Sequence, residues 1–162
     1  MRLFVLDATS IIALEESCKD NLLSLEDVLA KLTNLAINGN LICPRLAIDQ
    51  CKKLGPADRG TTWVRGVSGH FSTQEESWEY YEQVLDTCDQ MVDPDDLDEN
   101  PQVGVLAAAL KHRDSGREVV VVTEQKVDTP LQMSQATAAQ LLHIDTQSVE
   151  TFLMQLPADT HN

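Results

Sequence analysis

Asp7 stands directly after the apolar run Leu3-Phe4-Val5-Leu6, and Glu124 follows Thr123 at the end of Val119-Val120-Val121-Val122. A short unbroken apolar run suits a strand buried on both faces, so each acid is expected at a strand's carboxyl end. Open α/β sheets form their sites there. Clustered carboxylates can hold Mg²⁺ or Mn²⁺, and a metal so held activates water and neutralises charge on phosphorus, the two needs of phosphodiester hydrolysis. Asp7 is the first candidate ligand. A strand-end Asp also has an ordinary use, which is to cap the helix that follows.

The surrounding pattern alternates strands with helices. Ser24 with Asp27 resembles a capping box, the apolar residues from Leu25 to Ala36 recur at helical spacing, and Gly39 is the expected stop. Leu41-Ile42-Cys43 reads as a second strand before Pro44, and Leu46 to Leu54 as a helix with Asp49 on its first turns. Residues 55–69 are expected to be a loop. Thr73 with Glu76 would cap a long helix running to about Val92, and a second loop, Asp93 to Pro101, follows. Val103 to Arg113 is helical in pattern, with Gly116 as its stop. Thr129-Pro130 reads as the opening of a helix over Met133 to Leu142, Leu142-His143-Ile144 as a last strand, and Ser148 to Leu156 as a closing helix. This order predicts an α/β fold of three layers, α/β/α, around a mostly parallel sheet of four to five strands. A single domain is expected over residues 1–157, with 158–162 as a short tail.

The 162 residues carry 26 acidic against 12 basic side chains, a formal charge of −14 that opposes non-specific attraction to nucleic acid or to an anionic membrane. A nucleic-acid role therefore needs a local basic surface. Arg45, Lys52, Lys53, Arg59 and Arg65 supply one, with only Asp49 and Asp58 among them, and Trp63 in the same stretch is a candidate for stacking on a base. From Gly66 to Leu110 there is no Lys or Arg and many acids, which reads as a solvated face or as a docking face for a basic partner. On the same stretch Trp78, Tyr81 and Leu85 recur at helical spacing and read as a core stripe, with part of a dimer interface as the alternative. No apolar run is long enough to span a bilayer, a secretory signal is not expected, and Cys18, Cys43, Cys51 and Cys88 lack zinc or disulfide spacing. The expected location is the cytoplasm, with reduced thiols. His112, near a helix end, is expected to favour the helix dipole.

The segment Leu6-Asp7-Ala8-Thr9-Ser10-Ile11-Ile12-Ala13-Leu14 resembles the opening of the PIN-domain family of metal-dependent ribonucleases, which includes the toxins of many toxin–antitoxin pairs. Ile42-Cys43-Pro44-Arg45-Leu46-Ala47-Ile48-Asp49 is similar to the family's second motif, where an acid follows a strand-ending Pro. Val103 to Leu110, then Gly116 and Val119 to Thr123, resembles its Ala-rich helix leading into a valine strand ending in Thr. The resemblance implies cleavage of single-stranded RNA by Mg²⁺ or Mn²⁺. It implies Asp7 and Asp49 as ligands, a further ligand from Asp98, Glu99 or Asn100, catalytic help from Glu124, and Thr123 orienting water or a carboxylate. It also implies an antitoxin or other protein partner and a homodimer. The chain departs from the family where the third acid would stand, at Asn100 or Gln102, and where the fourth would stand, at Gln125. Those amides favour an alternative, a domain that keeps the PIN-like fold, has lost the metal site, and binds RNA or a protein. Haloacid-dehalogenase phosphatases want a second Asp where Thr9 stands, nucleotide-binding folds want a glycine-rich first turn, and receiver domains want an acidic pair. None is present.

Overall fold

A computed structural model describes residues 2–55, 57–71 and 78–157. Four strands, β1 (Leu3–Leu6), β2 (Leu41–Ile42), β3 (Val119–Val122) and β4 (Asp145–Gln147), form one sheet in the order β2-β1-β3-β4, and every pairing is parallel. β1 and β3 lie side by side in its centre with Leu6 opposite Val122, which brings Asp7 and Thr123 to the same edge.

The helices are α1 (Ala8–Asp20), α2 (Leu25–Ile37), α3 (Arg45–Leu54), α4 (Arg59–Val67), α5 (Trp78–Thr87), α6 (Pro101–Asp114), α7 (Gln135–Leu141) and α8 (Val149–Met154). The step from β1 to β2 runs one way along the sheet, and the steps from β2 to β3 and from β3 to β4 run the other way. Right-handed crossovers therefore place α1 and α2 on one face and α6 and α7 on the other. Packing agrees: α4 and α8 join α1, α5 joins α6, and α3 touches both α1 and α6 beside β2. The result is the α/β, three-layer arrangement expected from the sequence, with β1 and β3 buried between layers.

Local chemistry explains most boundaries. Ser24 Oγ accepts from the Asp27 N–H at the start of α2, and Gly39 ends that helix in the left-handed region at φ +75°. Gly116 does the same after α6 at φ +96°.

Several expectations are corrected. Residues 59–69, expected as loop, are not: Asp58 caps α4, a nine-residue helix, and a 3-10 turn covers Ser68–His70. Trp63 is therefore helical, packs against the core and donates its Nε1–H to Thr33 Oγ1 at 2.9 Å, so it is not offered to a base. α5 ends at Thr87, well short of Val92, and the Thr73–Glu76 cap lies outside the described residues. Trp78 is exposed and so leaves the expected core stripe, while Tyr81 and Leu85 pack on the core. α6 starts at Pro101, two residues early, because Asn100 caps it. α7 starts at Gln135 with Ser134 as its cap, while Thr129 and Gln132 close a tight turn upstream. His143 takes a positive φ of 57° and ends that helix, so the last strand begins at Asp145 and not at Leu142. His112 stands in the last turn of α6, as expected, and is half-buried, with burial first, then Arg117 and Lys111, lowering its pKa. All four cysteines are buried and unbridged. Among the described residues no helix is long and apolar enough to cross a membrane.

Candidate functional site at the carboxyl edge of the sheet

Asp7 is fully buried where β1 hands over to α1. Its Oδ1 accepts from the Ser10 N–H at 2.9 Å and from Thr9 Oγ1 at 2.7 Å, which caps α1. Its Oδ2 accepts a short hydrogen bond from Thr123 Oγ1 across the sheet. Thr123 Oγ1 in turn accepts from the Gln125 N–H at 3.0 Å, and Thr9 Oγ1 accepts from the Glu124 N–H at 2.9 Å. Two strand ends and one helix start are thereby tied into a single knot of hydrogen bonds.

Every group bearing on this carboxylate is neutral. Burial raises its pKa above the ordinary value of 3.8, and the hydrogen bonds from Thr123, Thr9 and Ser10 offset only part of that rise. Two thiols lie close enough to feel it: Cys43 is pushed well above its usual value by burial first, then by Cys51 and Asp7. Cys51 is pushed up to about 12 by burial, then by Asp7 and Asp58. Thiols held protonated in this way are poor nucleophiles and poor ligands.

The other expected site residues are placed elsewhere. Asp49 lies on the outward face of α3: with about 3.6 residues per turn, it points roughly 150° away from the inward Ala47, Ile48 and Cys51. It is half-exposed and pairs with Lys52 at 3.4 Å. The residue beside it, Gln50, has a buried amide oxygen without a donor. Cys51 reaches the Ala8 carbonyl, so this turn of α3 passes over the start of α1. Asn100 is spent as the α6 cap: its Oδ1 accepts from the Gln102 and Val103 N–H groups and its Nδ2 donates to the Met91 carbonyl. Asp98 and Glu99 are exposed in the loop before it. Glu124 turns to the other layer, where its Oε1 accepts from the Val149 N–H at the start of α8 at 2.7 Å and its Oε2 meets Lys126 at 3.3 Å.

Of the expected catalytic and metal-binding set, Asp7 and Thr123 are the two that touch. Among the described residues no three His, Cys, Asp or Glu side chains are grouped so as to hold a metal ion. The donors that surround Asp7 are hydroxyls and a backbone N–H, which address a carboxylate and not a cation, so a resident Mg²⁺ or Mn²⁺ finds a single carboxylate here. That donor set does not fit the metal centre the resemblance implies.

The expected RNA contacts are exposed on two neighbouring helices. Arg45, Asp49 and Lys52 fall within roughly 60° of one another on α3, with Lys53 adjacent, at about 3.6 residues per turn. α4, packed against α3, adds Arg59 and Arg65. All five cations are exposed, and Arg59 reaches Glu26 only at 3.9 Å. Thr9, Ser10 and Gln125 are the members of the knot that sequence reasoning did not single out as site residues. Their signal was spacing, Thr9 and Gln125 standing two residues, and Ser10 three, beyond a knot member in an Asx-turn, hydroxyl-turn or capping register. No protein-family model, curated protein or solved structure matches this chain.

Proposed function

We propose that this protein is a PIN-like domain that binds single-stranded RNA through the cationic outer face of α3 and α4 and does not cut it. The observation that carries this reading is the position of Asp49. The acid expected to complete the metal centre stands instead among Arg45, Lys52 and Lys53 on a solvent-facing stripe. That stripe can follow phosphates in a chain whose net charge is otherwise −14. Asn100 and Glu124 support it, because Asn100 is spent as the α6 cap and Glu124 on the Val149 N–H and Lys126.

A second reading, cleavage by a Mg²⁺- or Mn²⁺-dependent ribonuclease, is favoured by one specific observation. A buried carboxylate whose partners are all neutral lacks a counter-charge, and burial of an unpaired charge is costly. Asn or Ser would cap α1 as well without that cost.

One experiment separates the two. Labelled single-stranded RNA is titrated with the protein by fluorescence anisotropy, in Mn²⁺ and in EDTA, and each mixture is then resolved on a denaturing gel. Saturable binding in EDTA, intact RNA throughout, and at least a tenfold loss of affinity in Lys52→Glu/Lys53→Glu are the expected results. Cutting in Mn²⁺ that disappears in a folded Asp7→Asn variant would instead establish the ribonuclease. Absence of both binding and cutting would overturn RNA as the ligand.

A further inference from the structure

The acids and the bases of this chain fall in different stretches of sequence, and the fold carries them to different sides. α5 packs on α6 on one face of the sheet, while α4 packs on α1 on the other. Glu79, Glu82 and Asp86 are exposed on α5, and Trp78, at its start, is 53% exposed. The Trp78 ring meets Tyr81 edge-on, with centroids 5.5 Å apart. The Tyr81 hydroxyl accepts from the Asn100 N–H at 2.7 Å, and the 3-10 turn Asp89–Met91 packs on α5. The acidic loop between them, with Asp95, Asp98 and Leu97 all exposed, is thereby anchored at both ends to the element that carries Trp78.

This face does not favour its own helix. Glu79 and Glu82 stand three residues apart and Glu82 and Asp86 four, spacings at which like charges repel, and Asp86 lies in the last turn, where the helix dipole disfavours an anion. No Lys or Arg from Gly66 to Leu110 offsets them. A solvated helix gains nothing from an exposed tryptophan, whereas interfaces use one as an anchor. The acids around it call for a cationic partner, and an indole is also the ring on which a guanidinium sits best. The chain itself carries such a surface, Lys52 and Lys53 on α3 with Arg59 and Arg65 on α4, all exposed. We propose that the acidic face of α5, with Trp78 as its anchor, docks on the cationic α3–α4 face of a second copy of this chain. The two faces differ, so the contact is head-to-tail and not two-fold.

Salt gives this contact a signature. Two copies at −14 each repel over the roughly 30 Å Debye length of 0.01 M salt. At roughly 8 Å, in 0.15 M, facing charges dominate, and at roughly 3 Å, in 1 M, these too are screened. Association is therefore strongest at the middle concentration. The contact stands on the charges of the chain and does not rest on RNA binding, although RNA on the α3–α4 face would displace the neighbouring copy.

The test is sedimentation velocity on the full chain over a range of protein concentrations, at about 0.01, 0.15 and 1 M salt. Sedimentation coefficients that rise with protein concentration at the middle salt alone are the expected result. Lys52→Glu/Lys53→Glu and Glu82→Lys/Asp86→Lys should each be monomeric. Their mixture should associate again, because the intact acidic face of the first meets the intact cationic face of the second. Trp78→Ser, a change at an exposed position, should weaken association with both charged faces kept. A wild type that stays monomeric at all three salts overturns the inference and leaves the acidic face to a basic protein of another kind. Association that survives both charge reversals, or a mixture that stays monomeric, overturns it as well. Glu82→Lys/Asp86→Lys keeps every cation of the α3–α4 face, so its affinity for RNA in the anisotropy assay reports on the RNA reading separately.

Discussion

At the residue scale, Asp7 performs three tasks with two oxygens: it caps α1, closes the β1–α1 turn through Thr9, and bridges to β3 through Thr123. Removing the carboxyl deletes the cap and leaves the Thr123 hydroxyl buried without its acceptor. Asp7→Ala is therefore expected to cost about 2–4 kcal/mol, from about 1 for the cap and about 1–3 for the orphaned partner, measured by urea denaturation. Asp7→Asn keeps an acceptor and its shape, and its behaviour with pH separates charge from geometry. Because burial raises the pKa of Asp7 in the folded state, the unfolded chain loses this proton first as pH rises through the ordinary value of 3.8. From there through the raised folded value, ionisation favours the unfolded state, so this one group withdraws stability with rising pH. The Asn variant lacks that term. Its stability deficit relative to wild type is expected to be largest near pH 4 and to shrink toward neutrality, and a deficit that grew with pH would show that the ionised form of Asp7 is the stabilising one.

α4 shows at the element scale what a sequence hides. Gly60 and Gly66 weigh against a helix by propensity, and Thr61 and Thr62 add little for it. Tertiary packing decides otherwise. Gly60, Thr61, Val64 and Val67 form a buried stripe, and Asp58 Oδ1 accepts from the Thr61 N–H. That stripe, with an Asp three residues before Thr61, was the legible signal, outweighed by two glycines. The glycines have opposite reasons to be there. A methyl at Gly60 would sit 2.5 Å from the Ile11 carbonyl oxygen, whereas one at Gly66 meets nothing within 4 Å. Gly60→Ala is expected to destabilise by about 1–3 kcal/mol, as overpacking against backbone does. Gly66→Ala is expected to stabilise by about 0.5–1 kcal/mol in the same denaturation assay, because it lowers the entropy of the unfolded chain. The central strands, α2 and the glycine stops were readable because propensity and packing agree there. β4 was misplaced by three residues, from Leu142 to Asp145, because apolar Leu142 and Ile144 pack as the end of a helix while the ladder uses Asp145-Thr146-Gln147. Asp49 was legible as an acid after a Pro but not as an outward one, since the motif spacing fixes a turn of helix and the packing of α3 fixes its rotation.

Charge is a property of the whole molecule, and here it is divided between regions. The described acids of α5 and of the loop before α6 are exposed, and that stretch has no Lys or Arg, while the outer sides of α3 and α4 carry Arg45, Lys52, Lys53, Arg59 and Arg65. Two salt effects of opposite sign follow from one distribution. Net charge of −14 makes the folded chain repel itself, and salt relieves this as the Debye length falls from roughly 30 Å at 0.01 M to roughly 8 Å at 0.15 M. Tm measured by calorimetry should accordingly rise over that interval. RNA affinity should fall over the same interval, because each phosphate neutralised by a cation releases a counterion, at about 0.7 in the slope of log K against log salt for a single strand. Contacts from Lys52, Lys53 and Arg65 would give a slope of about −2, and Lys52→Glu/Lys53→Glu should leave about a third of it. If Tm and affinity moved together with salt, the cationic face would not be what meets the RNA. A complex insensitive to salt would instead place recognition in neutral groups.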